Sequence, residues 1–288
     1  MKQVRHWSNR KAWTEEEDAV LREHYGVRPL SQFKHLLPGR TPDAIQLYAT
    51  RRLGLRSDRR AMSALTDHRW YARNDAFFSE IRPLASYWAG FIAADGCVGS
   101  PIGGISIHLA AKDRAHLERL NADLEFSRPL RTEIPKSRGG PQCNFTVCSS
   151  QMIDDLWRNY AIGPRKSLTF TAPRHLDFEN ALAFIIGYID GDGCIRHRQG
   201  EGNWRNYVAL KILGTQDLLN WIADVFRTIM PDSKAEARPR PTRYHIWTYE
   251  VAGRRAEYIL GQLAMIDVPK MPRKWNMMHQ LDCSEYRR

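Results

Sequence analysis

Two stretches of this chain repeat each other. Trp88-Ala89-Gly90-Phe91-Ile92-Ala93-Ala94-Asp95-Gly96 is matched by Ile185-Ile186-Gly187-Tyr188-Ile189-Asp190-Gly191-Asp192-Gly193, and Asp95 and Asp192 stand 97 residues apart. A Cys follows each copy. Each run reads as a helix that is apolar around most of its circumference, and such a helix must be buried. The central Gly lets two backbones approach closely, so the copies are expected to pack on each other. Gly96 and Gly193 suit the left-handed residue that ends many helices. Asp95 and Asp192 then fall in last turns, where the helix dipole disfavours a carboxylate. Packed helices would bring the two carboxylates to one buried end, where like charges need compensation. A divalent cation supplies it, and Mg²⁺ is commonly held by one or two carboxylates with phosphate oxygens. A calcium-binding EF-hand loop starting at Asp190 is excluded, because its sixth position would be Ile195 where a Gly is required.

The paired motif resembles that of the LAGLIDADG homing endonuclease family, over residues 77–280, about two thirds of the chain. The resemblance implies that Asp95 and Asp192 bind the catalytic Mg²⁺, with Mn²⁺ as a substitute and the adjoining Gly96 and Gly193 as part of the metal site. It further implies hydrolysis of both strands of a long, specific DNA site, leaving short 3′ overhangs. With both motifs in one chain, a pseudo-symmetric monomer is expected. The first copy departs from the pattern: Ala93 stands where the family's earlier Asp is found, and Asp190 keeps it in the second.

Charge agrees with a polyanionic partner. The 288 residues carry 43 Lys and Arg against 32 Asp and Glu, a net charge of +11. No apolar run approaches a membrane span, and no secretory signal is evident at the N-terminus. The expected location is intracellular, in the cytoplasm or nucleoid of a bacterial or phage-infected cell. Five Cys without a Cys-x-x-Cys pair argue against a disulfide framework or zinc site. Cys97 and Cys194, at matching places, are expected as small buried residues.

Residues 1–56 read as a separate basic module; residues 1–60 hold 13 Lys and Arg against 7 Asp and Glu. Thr14 and Glu17 have capping-box spacing, opening a helix with Ala19, Leu21 and Tyr25 as apolar positions. Ser31 is the expected cap of a short second helix containing Phe33, Leu36 and Leu37. Thr41-Pro42 opens a third, with Ile45, Leu47 and Tyr48 on it. Three such helices resemble a Myb/SANT-like helix-turn-helix domain with Trp13, Phe33 and Tyr48 as aromatic positions. Its third helix would enter the major groove, presenting Gln46, Thr50, Arg51 and Arg52. Residues 57–76 form a basic linker, whose aromatic Trp70 and Tyr71, with Phe77 and Phe78 beyond, are expected to dock on the second domain.

The repeats span 77–175 and 176–288. After each Asp-Gly come strand-like stretches (105–109 and 207–212), a helix (113–124 and 216–229), two more strand candidates (128–134 and 143–148; 234–240 and 243–251) and another helix (149–159 and 253–264). The order αββαββα, twice, predicts an α+β fold with antiparallel sheets, each open on one face. In the resembled family the sheets form a saddle over DNA. Arg131, Lys136, Arg138, Arg196, Arg198, Arg205, Arg238, Arg240 and Arg243 lie on the strands and turns as candidate phosphate or base contacts. A Pro-Arg-Lys echo, residues 164–166 and 272–274, follows the last helix of each repeat. The family commonly places a Lys here near its active site, which implies Lys166 and Lys274 as groups that polarise water or stabilise phosphorane charge. His108 and Lys211 are matched to a strand position that faces the active-site water in the family.

Two other functions fit parts of this pattern. A non-catalytic DNA-binding regulator would keep the scaffold but has no use for paired acids. An intron RNA maturase fits the repeats but not the duplex-reading N-terminal module. An intein is not expected, because the chain lacks the Cys or Ser start and His-Asn end that splicing needs.

Overall fold

Thr14 accepts a hydrogen bond from the Glu17 backbone N–H, and the Glu17 carboxylate accepts one from the Thr14 N–H, so the capping box forms. The computed structural model describes residues 12–28, 30–56, 71–99, 103–134, 140–198, 207–230, 239–242 and 246–276, without the side chains of Ser31, Arg198 and Tyr207. The chain divides into two compact units, residues 1–69 and 70–288.

In the first unit the box begins α1 (Glu15–His24). Next come α2 (Leu30–Phe33), a 3₁₀ turn (Lys34–Leu36) and α3 (Pro42–Arg51). Thr41 caps α3 by accepting from the Ala44 N–H, with Pro42 in the first turn. Leu21, Phe33, Leu37, Ile45 and Ala49 form the core. Trp13 is sandwiched between the Tyr48 ring and the Arg40 guanidinium, each 4.1 Å away. Arg40 also donates to Glu17 at 2.6 Å, tying the loop before α3 to the start of α1. Three details differ from expectation. Ser31 lies inside α2 rather than capping it. Leu36 and Leu47 are exposed, and so is Ala19. A unit of three short helices has one interior, and these positions fall outside the stripe that faces it.

The second unit is α+β. Its first repeat runs α4 (Pro83–Asp95), β1 (Gly96–Val98), β2 (Ile105–Ala110), α5 (Arg114–Asp123), β3 (Arg131–Glu133), β4 (Gln142–Val147) and α6 (Ser150–Tyr160). Its second runs α7 (Phe178–Asp192), β5 (Gly193–Arg198), β6 (Tyr207–Gly214), α8 (Gln216–Ile229), β7 (Arg240–Pro241), β8 (Trp247–Ala252) and α9 (Arg254–Ala264), followed by a short α10 (Pro272–Trp275). The order αββαββα occurs twice, as the sequence predicts. Each repeat builds one antiparallel four-stranded sheet, ordered β1-β2-β4-β3 and β5-β6-β8-β7. Alternation sets the faces: Ile105, Ile107 and Leu109 are buried, whereas His108 and Ala110 are exposed. Residues 234–238 and 243–245 of the expected strands lie outside the described residues.

Helices α4 and α7 are the centre of this unit. Ala85 to Ala93 and Asn180 to Asp190 are buried without a break. Burying each large apolar side chain here stabilises by roughly 1.5–3 kcal/mol. The helices touch backbone to backbone, as the glycines require. A methyl placed on Gly90 would lie 2.0 Å from the Phe184 carbonyl oxygen; one on Gly187 would lie 1.9 Å from that of Tyr87. Tyr87 and Phe184 are themselves 97 residues apart, so the contact is reciprocal about a pseudo-dyad.

Gly96 and Gly193 do not adopt the expected left-handed turn. Their φ, ψ values are −83°, 147° and −88°, 153°, extended backbone that carries each helix directly into a strand. Glycine is needed there for space: a methyl would sit 2.7 Å from the Ile92 oxygen or 2.5 Å from the Ile189 oxygen. Cys97 and Cys194 are also not buried; Cys97 is exposed and Cys194 half-buried. They follow inward-facing glycines and so point to the open faces of their sheets. Cys283 lies outside the described residues, as does Trp70.

The segment entering α4 packs on the first repeat. Tyr71 meets Phe126 edge-on at 6.1 Å, the Ala72 N–H donates to Ser127 Oγ, and Phe77 and Phe78 are buried. Two ion pairs then cross between repeats. Arg174 donates to both carboxylate oxygens of Asp217 at 2.8 and 2.9 Å, and Arg273 Nε to both of Asp113 at 2.9 and 3.0 Å. Each repeat's trailing segment thereby grips the other repeat.

Candidate active site

The glycine seam delivers Asp95 and Asp192 to the same place. The Asp95 carboxyl carbon lies 3.4 Å from where a methyl on Gly191 would be, beside Asp192. The expected buried end is in fact a mouth: both residues are exposed, so a ligand can reach them. The surrounding helix ends still exclude enough water to disfavour charge. Burial raises the Asp95 pKa, the charge of Asp192 raises it further, and Lys274, Arg273 and Lys166 oppose. Burial also raises that of Asp192, opposed by Lys166, Lys274 and the Tyr188 hydroxyl. The repulsion is shared by the two acids, and Lys166 and Lys274 relieve it at both. Two reachable carboxylates of raised pKa form an oxygen donor set that suits a hard divalent cation. Among the described residues no cluster of three or more His, Cys, Asp or Glu side chains adds to it.

Lys166 and Lys274 are both buried beneath these helix ends. Burial lowers both ammonium pKa values, and the neighbouring carboxylates oppose the shift. Their donors point at backbone. Lys166 donates to the Gly96 carbonyl. Lys274 donates to the carbonyls of Ile189, Asp190, Gly191 and Gly193 at 2.6–3.0 Å. Four acceptors for three hydrogens saturate Lys274, so it is a helix cap. The carbonyls of Gly96 and Gly193, the two glycines expected beside the metal, accept from these ammonium groups. Lys166 differs in also lining a cleft of about 260 Å³ with Tyr188, Asp192 and Thr215.

Ala93 and Asp190, the departure noted in the motif, prove informative. Asp190 is fully buried. Its carboxylate accepts from Tyr87 Oη at 2.6 Å, the Met271 N–H at 2.9 Å and Trp275 Nε1 at 2.7 Å. The Tyr87 hydroxyl also meets His116 Nε2 at 3.0 Å. Sequence reasoning missed this network; the retained Asp was its one visible signal.

His108 and Lys211 do not match each other. Gly96 pairs with Ile107, and Gly193 with Ile212. Lys211 therefore corresponds to Ser106, and His108 to Leu213, two residues further along the same face. Period-two alternation fixes the face but not the register. His108 instead begins a polar row across the first sheet. It pairs with Asn144, whose other neighbour is Arg131, and His108 Nδ1 lies 2.8 Å from Asn144 Oδ1. Arg131 is exposed, as are Arg196 on β5 and Arg240 on β7. Arg196 Nε donates to Cys194 Sγ. Lys136, Arg138, Arg205, Arg238 and Arg243 lie outside the described residues, as does the Arg198 side chain.

In the first unit Gln46, Thr50, Arg51 and Arg52 are exposed on or just after α3. Gln46 and Thr50 line a groove of about 750 Å³ with Arg28 and Arg56. Arg51 and Arg52 are not among its lining residues. Thr50 donates to the Gln46 carbonyl at 2.7 Å, leaving its hydroxyl oxygen as an acceptor.

No family model matches the chain, and no curated protein matches it. Solved structures do. I-AabMI, a LAGLIDADG meganuclease bound to uncleaved DNA, is similar over 69% of this chain and 88% of its own, at 14% identity and a TM-score of 0.42. I-LtrWI, a LAGLIDADG homing endonuclease bound to target DNA, matches over 70% and 93%, at 11% identity and 0.44. I-GzeII, a LAGLIDADG homing endonuclease in complex with its DNA target, matches over 70% and 89%, at 9% identity and 0.47.

Proposed function

We propose that this protein is a site-specific DNA endonuclease of the LAGLIDADG type, cutting both strands of a long duplex site as a monomer. The observation that carries this reading is the pair of reachable carboxylates, Asp95 and Asp192, delivered side by side by two interlocked, pseudo-symmetric helices. A protein that only binds has no use for two acids at that place in a chain of net charge +11. Asp95 and Asp192 would hold Mg²⁺, with Mn²⁺ a substitute. The ion supplies Lewis acidity toward phosphate and a more acidic water.

The chain's own groups divide the remaining work. Lys166, in the cleft beside Asp192, lends positive charge to the phosphate as negative charge develops. Lys274 holds the carbonyl end of α7 in place. Arg131, Arg196 and Arg240, with His108 and Asn144, face duplex DNA from the open sheets, where guanidinium and amide groups can pair with phosphates or base edges. The N-terminal unit acts as a Myb/SANT-like reader through α3. Being tethered, it raises the effective concentration of the whole protein at its site.

The test is cleavage of a fragmented or randomised duplex library with Mg²⁺ and, in parallel, with EDTA, followed by sequencing of the ends. Recurrent Mg²⁺-dependent ends with short 3′ overhangs are expected. DNA retained without any ends would overturn the nuclease reading and favour a regulator.

A further inference from the structure

The two halves are not held equally. In the second, the Asp190 carboxylate takes hydrogen bonds from Tyr87, Met271 and Trp275. The pseudo-dyad places Ala93, Phe184, Gly163 and Ser167 at the corresponding four positions of the first. None of these side chains carries the carboxylate, the phenol or the ring N–H, so the network exists once. Its donors come from two places: Tyr87 from the first repeat's central helix, Met271 and Trp275 from the strap 271–275. That strap also carries Arg273, bound to Asp113 of the first repeat, and Lys274, whose ammonium caps the last turn of α7. The last turn ends in Asp192.

We infer that Asp190 is a positioning residue: it pins the strap so that Lys274 fixes the helix end bearing Asp192, and so makes the Asp192 half-site the more firmly set of the two. The carboxylate is fully buried and two residues from the mouth, so it acts through the strap and touches no substrate. The functional part of this inference rests on the nuclease reading above.

Two variants separate positioning from folding. Asp190→Asn keeps size but places an amide N–H against at least one of the three donors, an unfavourable meeting of two hydrogens. Asp190→Ala with Tyr87→Phe copies the pair that the first repeat already tolerates. The first readout needs no DNA: amine-reactive labelling of Lys274 in the whole protein, followed by peptide mass spectrometry, with Lys166 as internal reference. Labelling of Lys274 relative to Lys166 is expected to rise roughly tenfold or more as the strap loosens. The second readout is hydrolysis of each strand of the self-selected duplex, end-labelled separately. The ratio of the two strand rates is expected to shift by roughly tenfold or more, with nicked duplex accumulating.

Unchanged Lys274 labelling in both variants overturns the inference. So does increased labelling with both strands slowed equally, since that is loss of structure without selective positioning. If the unaltered protein cuts no duplex at all, the nuclease reading fails. The labelling then decides alone whether Asp190 pins the strap.

Discussion

Gly187→Ala tests the seam on which the site depends. The added methyl would lie 1.9 Å from the Tyr87 oxygen, 2.9 Å from the Phe91 nitrogen and 2.9 Å from the Tyr87 carbonyl carbon. Ordinary contact begins near 3.4 Å, so the helices must part by about 1.5 Å (3.4 − 1.9). All the obstructing atoms are backbone, and no side-chain rotamer can relieve them. Overpacking that side chains can absorb costs about 1–3 kcal/mol; a displacement of two buried helices belongs above that range, at roughly 4 kcal/mol or more. For a unit of this size each kcal/mol lowers Tm by about 2–4 °C, so a fall on the order of 8–16 °C is expected in the second unit's transition. Differential scanning calorimetry of the full chain measures it. Gly140→Ala, with nothing within 4 Å of the new methyl, is the control and should leave Tm within about a degree. A Gly187→Ala protein that melts with the control would refute the backbone contact, and with it the means by which Asp95 and Asp192 are brought together.

Further expectations follow from charge and burial. Asp95→Asn and Asp192→Asn should each abolish double-strand cleavage while sparing DNA retention; full cleavage by either removes that residue from the site. Because both folded pKa values are raised, the acids favour folding only while protonated. Their contribution is lost as pH rises through those values, so the Asn variants should gain Tm relative to the unaltered protein on going from below about pH 4 to neutrality. An advantage that shrinks with rising pH contradicts this. Burial pushes His116 down to about 4, with Lys274 and Arg273 reinforcing the shift and Asp113 opposing it. This buried histidine contributes stability present above about pH 6.5 and lost as pH falls toward 4, about 3 kcal/mol in all. A stability profile over that range that is no flatter in His116→Gln would refute the assignment. Lys166→Met should slow cleavage roughly 100-fold with little change in Tm, whereas Lys274→Met should lower Tm first; calorimetry and single-turnover rates on both variants distinguish the two roles.

The features legible in the sequence were local ones. Thr14 and Glu17 lie three residues apart, and the capping box they promise is formed. The all-apolar faces and central glycines of α4 and α7 foretold burial and close approach. Strand and helix order followed from changes of hydrophobic period. What the sequence hid depends on pairing across distance. Asp190 and Met271 stand 81 residues apart, and nothing near either announces the other. The resemblance implies Lys274 as an active-site charge, and its work as a cap is hidden because the four carbonyls it serves are invisible until the strap folds under α7. Lys211 was set against His108 because alternation alone cannot tell two registers on one face apart; the pairs Gly96–Ile107 and Gly193–Ile212 do.

The hydroxyl of Tyr87 and the carboxylate of Asp190 also decide which halves can live together. Two copies of the first repeat, joined about the same dyad, would set each Tyr87 hydroxyl against an Ala93, which offers no acceptor in place of the carboxylate and leaves the hydroxyl to His116 Nε2 of its own repeat. Two copies of the second would set each Asp190 against a Phe184, which offers no donor in place of the phenol. Either self-pairing loses the buried hydrogen bond between phenol and carboxylate, a loss of about 1.5–3 kcal/mol for a bond to a charged group, although the Met271 and Trp275 N–H groups stay with the acid. Only unlike halves form it. The repeats therefore recognise each other rather than themselves, and cutting the chain between them should yield fragments that reassemble as a mixed pair and not as two homodimers.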